Sequence, residues 1–246
     1  MNDMDSFLDG FYTPSGDCIT VTAEQASSFA KDIAGDFNPI HDPDAKRFCV
    51  PGDLLLALVL ERYGLAEKMS FSFENMVGAE TPLRFPERPG ETITIEDPGG
   101  KAYLHVRRSG AVTHDPALIE ALTRRYVAFS GHNFPHVLQP LLEEKGVMFN
   151  PDRPLVIYDS MGFELDGLDF GPPDMEMVDA FMEVDGKRGN VMLRFRFTAG
   201  GRTVGAGSKK LLVSGLREYD GKRMEEIVTE FYRRKAAYTN GECVTP

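Results

Sequence analysis

"VPGDLLLALVLERYG" runs from Val50 to Gly64 and contains the longest apolar run of the chain. Pro51 and Asp53 are typical of a helix start, and Gly64 is typical of a helix end. Every residue in 54–60 is apolar, so a helix over this stretch has no polar side to turn toward water. The stretch therefore predicts a helix that is buried on all sides in the middle of the fold.

A further helix and several strands flank this buried helix. "TAEQASSFAKDIAGD" begins at Thr22 with a capping-box pattern that Gln25 completes, and Gly35 suits its end. After Gly64, the segments "KMSFSFENMVG", "TPLRFPERPGETITIED" and "KAYLHVRRSG" alternate apolar and polar residues with the period of two that is typical of strands. The first part of the chain therefore reads as two helices followed by antiparallel strands.

The same order of elements occurs a second time. "DPALIEALTRRYVAFSG" and "FPHVLQPLLEEKG" predict two helices, and four strand-like segments follow, from "PLVIYDSMGFELDGL" to "RTVGAGSKKLLVSG". A final amphipathic helix, "GKRMEEIVTEFYRRKAAY", ends the pattern. This repetition indicates an internal duplication. The turn-rich "GAVTHDP" places the boundary between an N-terminal repeat, residues 1–112, and a C-terminal repeat, residues 113–246.

An antiparallel sheet that bends round one apolar helix satisfies this pattern, because its inner face can bury that helix on all sides. Two such units side by side share one continuous sheet. The predicted fold class is therefore α+β, a double hot-dog with two long central helices, at 54–60 and 137–142, wrapped by one bent antiparallel β-sheet. Such a chain already contains two units, so we expect a monomer or a homodimer.

Composition excludes several classes of function. The chain has 246 residues and a formal net charge of -11 at pH 7, which repels nucleic acid. Cys18, Cys49 and Cys243 suit neither a disulfide framework nor a zinc site. The acidic N-terminus lacks the layout of a signal peptide, and no apolar run is long enough to cross a bilayer. We expect a cytosolic protein with no membrane partner, metal or cofactor.

The segment before the buried helix, "AGDFNPIHDPDA" at residues 34–45, carries the candidate chemistry. Asp36 and His41 lie on either side of a turn that Asn38 and Pro39 stiffen. An acid and a base that face one small volume can move the protons of a water molecule. The alternative is structural, with Asp36 capping a helix end and His41 packing against the core.

This segment resembles the signature of the MaoC-like (R)-specific enoyl-CoA hydratases, a family of hot-dog folds, and the whole chain resembles a poorly characterised bacterial subgroup of it. The signature is Gly-Asp-x-Asn-Pro-(Leu/Ile)-His followed by an acid and Ala, and residues 35, 36 and 38–41 match it. The resemblance implies that Asp36 and His41 hold the water that adds to a 2-enoyl thioester of coenzyme A or acyl carrier protein. Asn38 would support this pair.

The resemblance also implies a binding site around the pair. Backbone N–H groups at Gly52, where the buried helix starts, would stabilise the negative charge that develops on the thioester carbonyl. The residues expected to line the substrate pocket are Phe37, Pro39, Cys49 and Pro51.

Three features depart from the family. Pro51-Gly52-Asp53 stands where the family usually has His-Gly-Met, the segment between His41 and Gly52 is short, and the motif lies in the first repeat. A carboxylate at Asp53 could cap the helix and compete with the thioester oxygen for the same N–H donors. Two alternatives therefore stay open, a non-catalytic acyl-CoA or fatty-acid binding protein and a hot-dog thioesterase.

The second repeat has "SGHNFPH" in the corresponding place, with His132 and His136. A degenerate copy of the motif and a pair of metal ligands are both possible readings, but a structural role is favoured because an isolated histidine pair is a weak metal signal. The basic pairs Arg107-Arg108 and Lys209-Lys210 lie on predicted strands. They could meet coenzyme A phosphates, but we expect them to face solvent.

Overall fold

The computed structural model describes residues 6–151 and 153–241, so the first five residues and Cys243 lie outside the described part. Its helices are α1 (Ala23–Ser28), α2 (Gly52–Tyr63), α3 (Pro116–Gly131), α4 (Leu138–Glu144) and α5 (Gly221–Thr239). The strands of the first half are β1 (Thr13–Ser15), β2 (Cys18–Thr20), β3 (Leu65–Phe73), β4 (Leu83–Arg84), β5 (Thr92–Glu96) and β6 (Ala102–Thr113). Those of the second half are β7 (Val147–Met148), β8 (Leu155–Leu165), β9 (Asp174–Asp185), β10 (Arg188–Ala199), β11 (Arg202–Ser214) and β12 (Arg217–Glu218).

Within these ranges, one antiparallel sheet of ten strands runs in the order β1-β2-β4-β5-β6-β3-β8-β11-β10-β9. The two halves of the chain join where β3 pairs with β8. Outward from this junction, one side reads β3-β6-β5-β4 and the other reads β8-β11-β10-β9. On both sides the first strand is followed by the fourth, the third and the second. The α+β class with one large antiparallel sheet is confirmed.

Helix α2 lies in the middle of the first half, as its composition predicts. All residues in 54–60 are at most 3% exposed, and they share one hydrophobic core with side chains of β3, β5, β6, β8 and β10. The chain leaves the helix at Gly64, whose φ is 81°. A Cβ there would lie 2.6 Å from the carbonyl oxygen of Thr113, so only glycine fits this exit.

The helix before the motif begins and ends at the predicted residues. The Thr22 side chain accepts the N–H of Gln25, and the Gln25 side chain accepts the N–H of Thr22, so the capping box is confirmed. The chain continues beyond α1 as a π-helical segment, Phe29–Ala34, and Gly35 ends it in the left-handed conformation with φ 66°. This turn delivers Asp36 to the front of α2.

The second long central helix is not found at the predicted place. Helix α4 has seven residues, and only Leu138 and Leu142 of them are buried. Polar residues recur within it, at Gln139, Glu143 and Glu144, and give it a face toward solvent. The helix of this half that packs in the same core as α2 is instead α3, through side chains that include Tyr126. No helix in the described part of the chain is long and apolar enough to cross a membrane.

Candidate active site

The motif folds into a short loop that is stabilised by its own side chains. The Oδ1 atom of Asp36 accepts the N–H of Asn38 at 2.9 Å, and the Oδ1 atom of Asn38 accepts the N–H of Ile40 at 3.3 Å. Residues Pro39–His41 then form one 3-10 turn. These local bonds explain the sequence Asp-x-Asn-Pro, because Asp and Asn can accept backbone N–H groups two residues ahead.

The His41 ring is oriented by a backbone carbonyl. Its Nδ1 atom lies 2.6 Å from the carbonyl oxygen of Cys49, which can only accept, so Nδ1 donates the hydrogen bond. In the neutral ring this leaves a lone pair on Nε2. The Nε2 atom lies 3.8 Å from Oδ2 of Asp36, and the two side chains are 11% and 26% exposed. This distance exceeds a hydrogen bond and suits one shared small molecule such as water.

Burial raises the pKa of Asp36 above its ordinary value. The neighbouring His41 and the N–H of Asn38 oppose this shift, whereas the negative charges of Asp53 and Asp42 add to it. The effect of burial is the largest, so the protein around Asp36 favours a carboxyl group that holds its proton more tightly. A raised pKa in a cleft beside a histidine is a feature of acid–base sites.

Asn38 connects the motif to the second half of the chain. Its Nδ2 group donates to the carbonyl oxygen of Val156, on β8, at 3.2 Å. The same side chain accepts the N–H of Ile40 and therefore uses both ends of its amide. The loop that carries Asp36 and His41 is thus held by bonds that originate in both halves.

The start of α2 faces this loop with unpaired donors. The N–H groups of Gly52 and Asp53 have no acceptor among the described residues, and no side chain caps the helix there. A Cβ on Gly52 would lie 3.0 Å from the ring of Phe73, so this position is tight. The Asp53 carboxylate points to Lys209, 3.3 Å from its Nζ atom, and does not cap the helix.

The expectation that both basic pairs, Arg107-Arg108 and Lys209-Lys210, face solvent is wrong for Lys209. It is fully buried, and burial lowers its pKa to about 8, against the opposing effect of Asp53. Alternation along β11 places Lys209 on the same face as the buried Leu211 and Val213, and this signal is visible in the sequence. In the other pair, Arg108 donates to the carbonyl oxygens of residues 63, 89 and 90, so its guanidinium is used within the fold.

A cavity of about 460 Å³ opens in front of the motif and α2. Its lining includes all of the site residues named from the sequence: Asp36, Phe37, Asn38, Pro39, His41, Cys49, Pro51, Gly52 and Asp53. The second half contributes apolar wall residues, which include Phe134, Leu138, Phe149, Val156 and Phe231. Sequence reasoning named none of these five as pocket residues, and Phe231 lies on α5, the final amphipathic helix. The roles expected for the named residues stay predictions.

The cysteine in this cavity is not an activated nucleophile. Burial raises the pKa of Cys49 to about 11, so its thiol keeps its proton at neutral pH. The Sγ atom donates to the carbonyl oxygen of Val50 at 3.3 Å. Cys49 therefore contributes its backbone carbonyl, which orients His41, and a wall of the cavity.

The histidines of the second half lie outside the cavity. His132 is exposed and its Nδ1 donates to the carbonyl oxygen of Ala128 at 2.7 Å. His136 is also exposed, with Nε2 3.4 Å from the hydroxyl of Tyr232. In residues 6–151 and 153–241, no group of three or more His, Cys, Asp or Glu side chains is placed to hold a metal ion.

Solved structures with distant likeness to this chain include enzymes and a protein of unknown function. The peroxisomal multifunctional enzyme type 2 from Drosophila melanogaster is 12% identical with a TM-score of 0.44, and the match covers 80% of this chain and 48% of that one. A putative thioesterase II from Thermobifida fusca is 12% identical, with coverage of 87% and 99% and a TM-score of 0.42. A hot-dog protein from Alicyclobacillus acidocaldarius is 10% identical, with coverage of 86% and 99% and a TM-score of 0.46. At this distance the likenesses carry no argument about activity.

No curated protein matches the chain. One family model matches residues 6–222, which is most of the sequence and includes the motif, α2 and every strand of the large sheet. The chain belongs to the family described as protein of unknown function DUF3581.

Proposed function

We propose that this protein is a hydratase or dehydratase that adds water to the double bond of a 2-enoyl thioester. The observation that carries the proposal is the Asp36–His41 pair, with its Oδ2 and Nε2 atoms 3.8 Å apart on the wall of a largely apolar cavity. The match of residues 35–41 to the MaoC-like signature supports the same reading. The substrate would be a thioester of coenzyme A or of acyl carrier protein.

In this reaction the pair takes one proton from water and returns one proton to carbon. Water oxygen bonds to C3 of the enoyl group as His41 Nε2 accepts the water proton, because Nδ1 is already used by Cys49. The electron pair of the double bond moves to the thioester carbonyl. The protonated form of Asp36, which the raised pKa favours, supplies the proton that C2 receives. Proton transfer from His41 to Asp36 then restores the starting state.

The start of α2 is the candidate site for the thioester carbonyl. Negative charge develops on this oxygen during the step, and N–H groups at a helix N-terminus stabilise an anion. The N–H groups of Gly52 and Asp53 have no acceptor in the described residues, which supports this role. The apolar wall from the second half would receive the acyl chain.

The double hot-dog arrangement is part of the proposal. The matching strand order on both sides of the β3–β8 junction supports two repeats, and the turn between β6 and α3 supports a boundary near residue 112. In this view the first repeat holds the motif and α2, and the second repeat has changed its central helix. The second repeat would act as the wall of the site.

The structure gives less support to the two alternatives from the sequence, a binding protein and a thioesterase. The binding-protein reading depends on Asp53 as a helix cap, and its carboxylate binds Lys209 instead. A thioesterase would aim a carboxylate-activated water at the carbonyl carbon, with no need for a neighbouring histidine. We therefore place hydration first and make the others outcomes of the test.

The test measures hydration of crotonyl-CoA by the natural chain and by Asp36→Asn, His41→Ala and the double variant. Acid–base groups contribute about 10²–10⁴-fold each, so each single variant should lose at least about a hundredfold in kcat. Because the two groups act as a unit, the double variant should be little worse than either single one. The control is Asp44→Asn, an exposed acid of the same loop, which should behave as the natural chain.

Release of free thiol is followed in the same reactions. Thiol release in place of hydration would establish the thioesterase reading. Saturable binding of butyryl-CoA with neither reaction would establish the binding-protein reading. Hydration that survives both His41→Ala and Asp36→Asn would overturn the assigned roles.

A further inference from the structure

A buried ion pair connects the two halves of the chain behind the candidate active site. Lys209 on β11 and Asp53 on α2 are 0% and 3% exposed, and their Nζ and Oδ1 atoms lie 3.3 Å apart. Asp53 lines the cavity, whereas Lys209 lies behind it and is not part of the lining. An ion pair removed from water to this degree is costly unless its geometry and its other hydrogen bonds compensate.

The ammonium group of Lys209 is fully used in this position. Its three protons have three acceptors: Oδ1 of Asp53 at 3.3 Å, the carbonyl oxygen of Tyr126 at 2.9 Å and Oγ of Ser130 at 2.5 Å. Its Nζ atom also lies 3.7 Å from the centre of the Tyr126 ring. Lys209 is therefore held by α3 on one side and pulls the Asp53 carboxylate toward it on the other.

The Lys209–Asp53 ion pair determines whether the N-terminus of α2 is open to a ligand oxygen. Asp53 is in the first turn of the helix, where a carboxylate is attracted to the exposed N–H groups. Without Lys209, the Asp53 carboxylate would be an unpaired charge beside those donors. It would compete with a ligand oxygen for them and would repel negative charge that develops there.

We propose that Lys209 is a positioning residue of the candidate active site, which holds the Asp53 carboxylate off the N-terminus of α2 and neutralises it, so that the thioester carbonyl can bind there. This inference rests on the proposed function for the identity of the ligand. It explains how a chain with Asp at this corner keeps a site for a developing anion. It also gives the second half a direct part in the site.

The charge state of Lys209 sets a pH limit. Its pKa is lowered to about 8, mainly by burial, and the groups that face it are Asp53 from α2, Tyr126 from α3, Tyr158 from β8 and the more distant Asp36. Burial raises the pKa of both tyrosines well above the ordinary value, so they stay neutral when Lys209 loses its proton. Above about pH 8 the carboxylate of Asp53 would be left without its partner, and turnover should fall.

The experiment uses the full chain and four variants: Lys209→Met, Asp53→Asn, the double variant Lys209→Met/Asp53→Asn, and Lys210→Met. Crotonyl-CoA hydration is measured from pH 6 to 10, and butyryl-CoA binding is measured by calorimetry. Lys209→Met should lose about a hundredfold or more in kcat, the scale of one lost oxyanion donor. The double variant should recover to within about tenfold of the natural chain and should lack the alkaline decline near pH 8.

Lys210→Met is the matched control. Lys210 is the next residue of the same strand, but its side chain is 35% exposed and pairs with Asp159 at the surface. Its replacement should leave turnover and the pH profile as in the natural chain. A merely structural role of Lys209 would lower the melting temperature without a shift in the pH profile.

The outcomes separate this inference from the proposed function. No hydration by the natural chain rejects the proposed function, and butyryl-CoA affinity then tests the inference alone, since Lys209→Met should weaken it and the double variant should restore it. Equal affinity in all variants overturns the inference. If Lys209→Met does not fold, the double variant decides, because it buries no charge at this site. Persistence of the decline near pH 8 in that double variant also overturns it.

Discussion

The corner before α2 and the corner before α4 correspond in the proposed duplication, and their polar residues do different things. In the first corner, Asp36 and His41 line a cavity, and His41 is oriented by the carbonyl of Cys49. In the second, His132 and His136 are exposed and outside that cavity. A histidine in the corresponding corner is therefore not enough for a site. The first corner is a candidate site because other elements cover it.

The cover of the first corner comes mostly from the second half. The backbone of α3 lies against the end of the π-helical segment, since a Cβ added at Gly131 would lie 1.9 Å from the carbonyl oxygen of Ala34. Strand β8 accepts the amide of Asn38, and Phe231 of α5 packs against the ring of Phe37. The second half thus helps to enclose the first corner, and its own corner contributes Asn133 and Phe134 to the lining of the same cavity.

The largest change in the free energy of unfolding is expected from Gly131→Ala, because this replacement disturbs the packing of α3 against the segment before the motif. The added methyl group would meet backbone atoms of Ala34 and Gly35, and backbone yields less than a flexible side chain. Overpacking of this kind costs about 1–3 kcal/mol and occasionally more, so we expect a loss of about 3 kcal/mol in the free energy of unfolding. Turnover should fall too, because Asp36 follows directly in the chain. Urea unfolding and crotonyl-CoA hydration measure the two effects.

Gly171→Ala is the control for that change. Gly171 is exposed, has no atom within 4 Å of an added Cβ and does not have a positive φ. Its replacement should change the free energy of unfolding by no more than about 0.5 kcal/mol. Equal effects of the two replacements would mean that α3 does not hold the motif loop in place.

Asp36→Asn should raise the free energy of unfolding, by less than Gly131→Ala lowers it. This replacement tests the difference between the two corners. The second corner buries the neutral Asn133, whose Nδ2 group donates to the hydroxyl of Tyr158 at 3.3 Å, whereas the first holds the partly exposed carboxyl group of Asp36. Asn at position 36 keeps an acceptor for the N–H of Asn38 and removes a carboxylate whose charged form is disfavoured by desolvation. Single stabilising substitutions commonly contribute about 0.5–2 kcal/mol, and a strained or charged functional site often lowers stability, so we expect a gain of about 1 kcal/mol at pH 7 together with lost turnover.

The pH dependence of stability is a separate test of the gain expected from Asp36→Asn. The pKa of Asp36 is raised in the folded chain, so the folded state binds the proton more tightly than the unfolded state. The contribution of Asp36 to stability is therefore present at low pH and is lost as pH rises from about 3.9, the unfolded value, through the raised folded value. The advantage of Asp36→Asn should grow over this window and vanish below it. An advantage that stays constant with pH would contradict burial as the cause.

Much of the fold follows from local patterns in the sequence. The all-apolar run of α2, the capping box at Thr22 and the period of two in the strands each produced an element at its predicted place. The same reasoning fails at α4, because seven residues with polar interruptions cannot show whether a helix is central or peripheral. The length of α3 and its packing on α2 depend on contacts between distant parts of the chain.

The site was predictable only in its first half. Residues 36–53 are close in sequence, so the motif predicted that they share one site, and they line one cavity in the fold. Lys209 lies 156 residues from Asp53, and nothing local indicates that a strand lysine has its partner on a helix of the other half. Its place in the alternation of β11 shows that it points inward, but not what it meets. Long-range charge pairing is the part that local patterns leave out.

The smallest effect is expected from His132→Ala and His136→Ala, and it tests the comparison of the corners most directly. His132 bonds the carbonyl of Ala128 in its own helix, and His136 makes a 3.4 Å contact with the Tyr232 hydroxyl at the surface. Both side chains are exposed, so each replacement should change the free energy of unfolding by less than about 0.5 kcal/mol. Turnover of crotonyl-CoA should stay within about twofold of the natural chain, because neither side chain lines the cavity and a change of about 0.4 kcal/mol in the activation free energy corresponds to about twofold. A loss of a hundredfold in either variant, with stability unchanged, would place a catalytic group in the second corner and would remove the distinction drawn between the two halves.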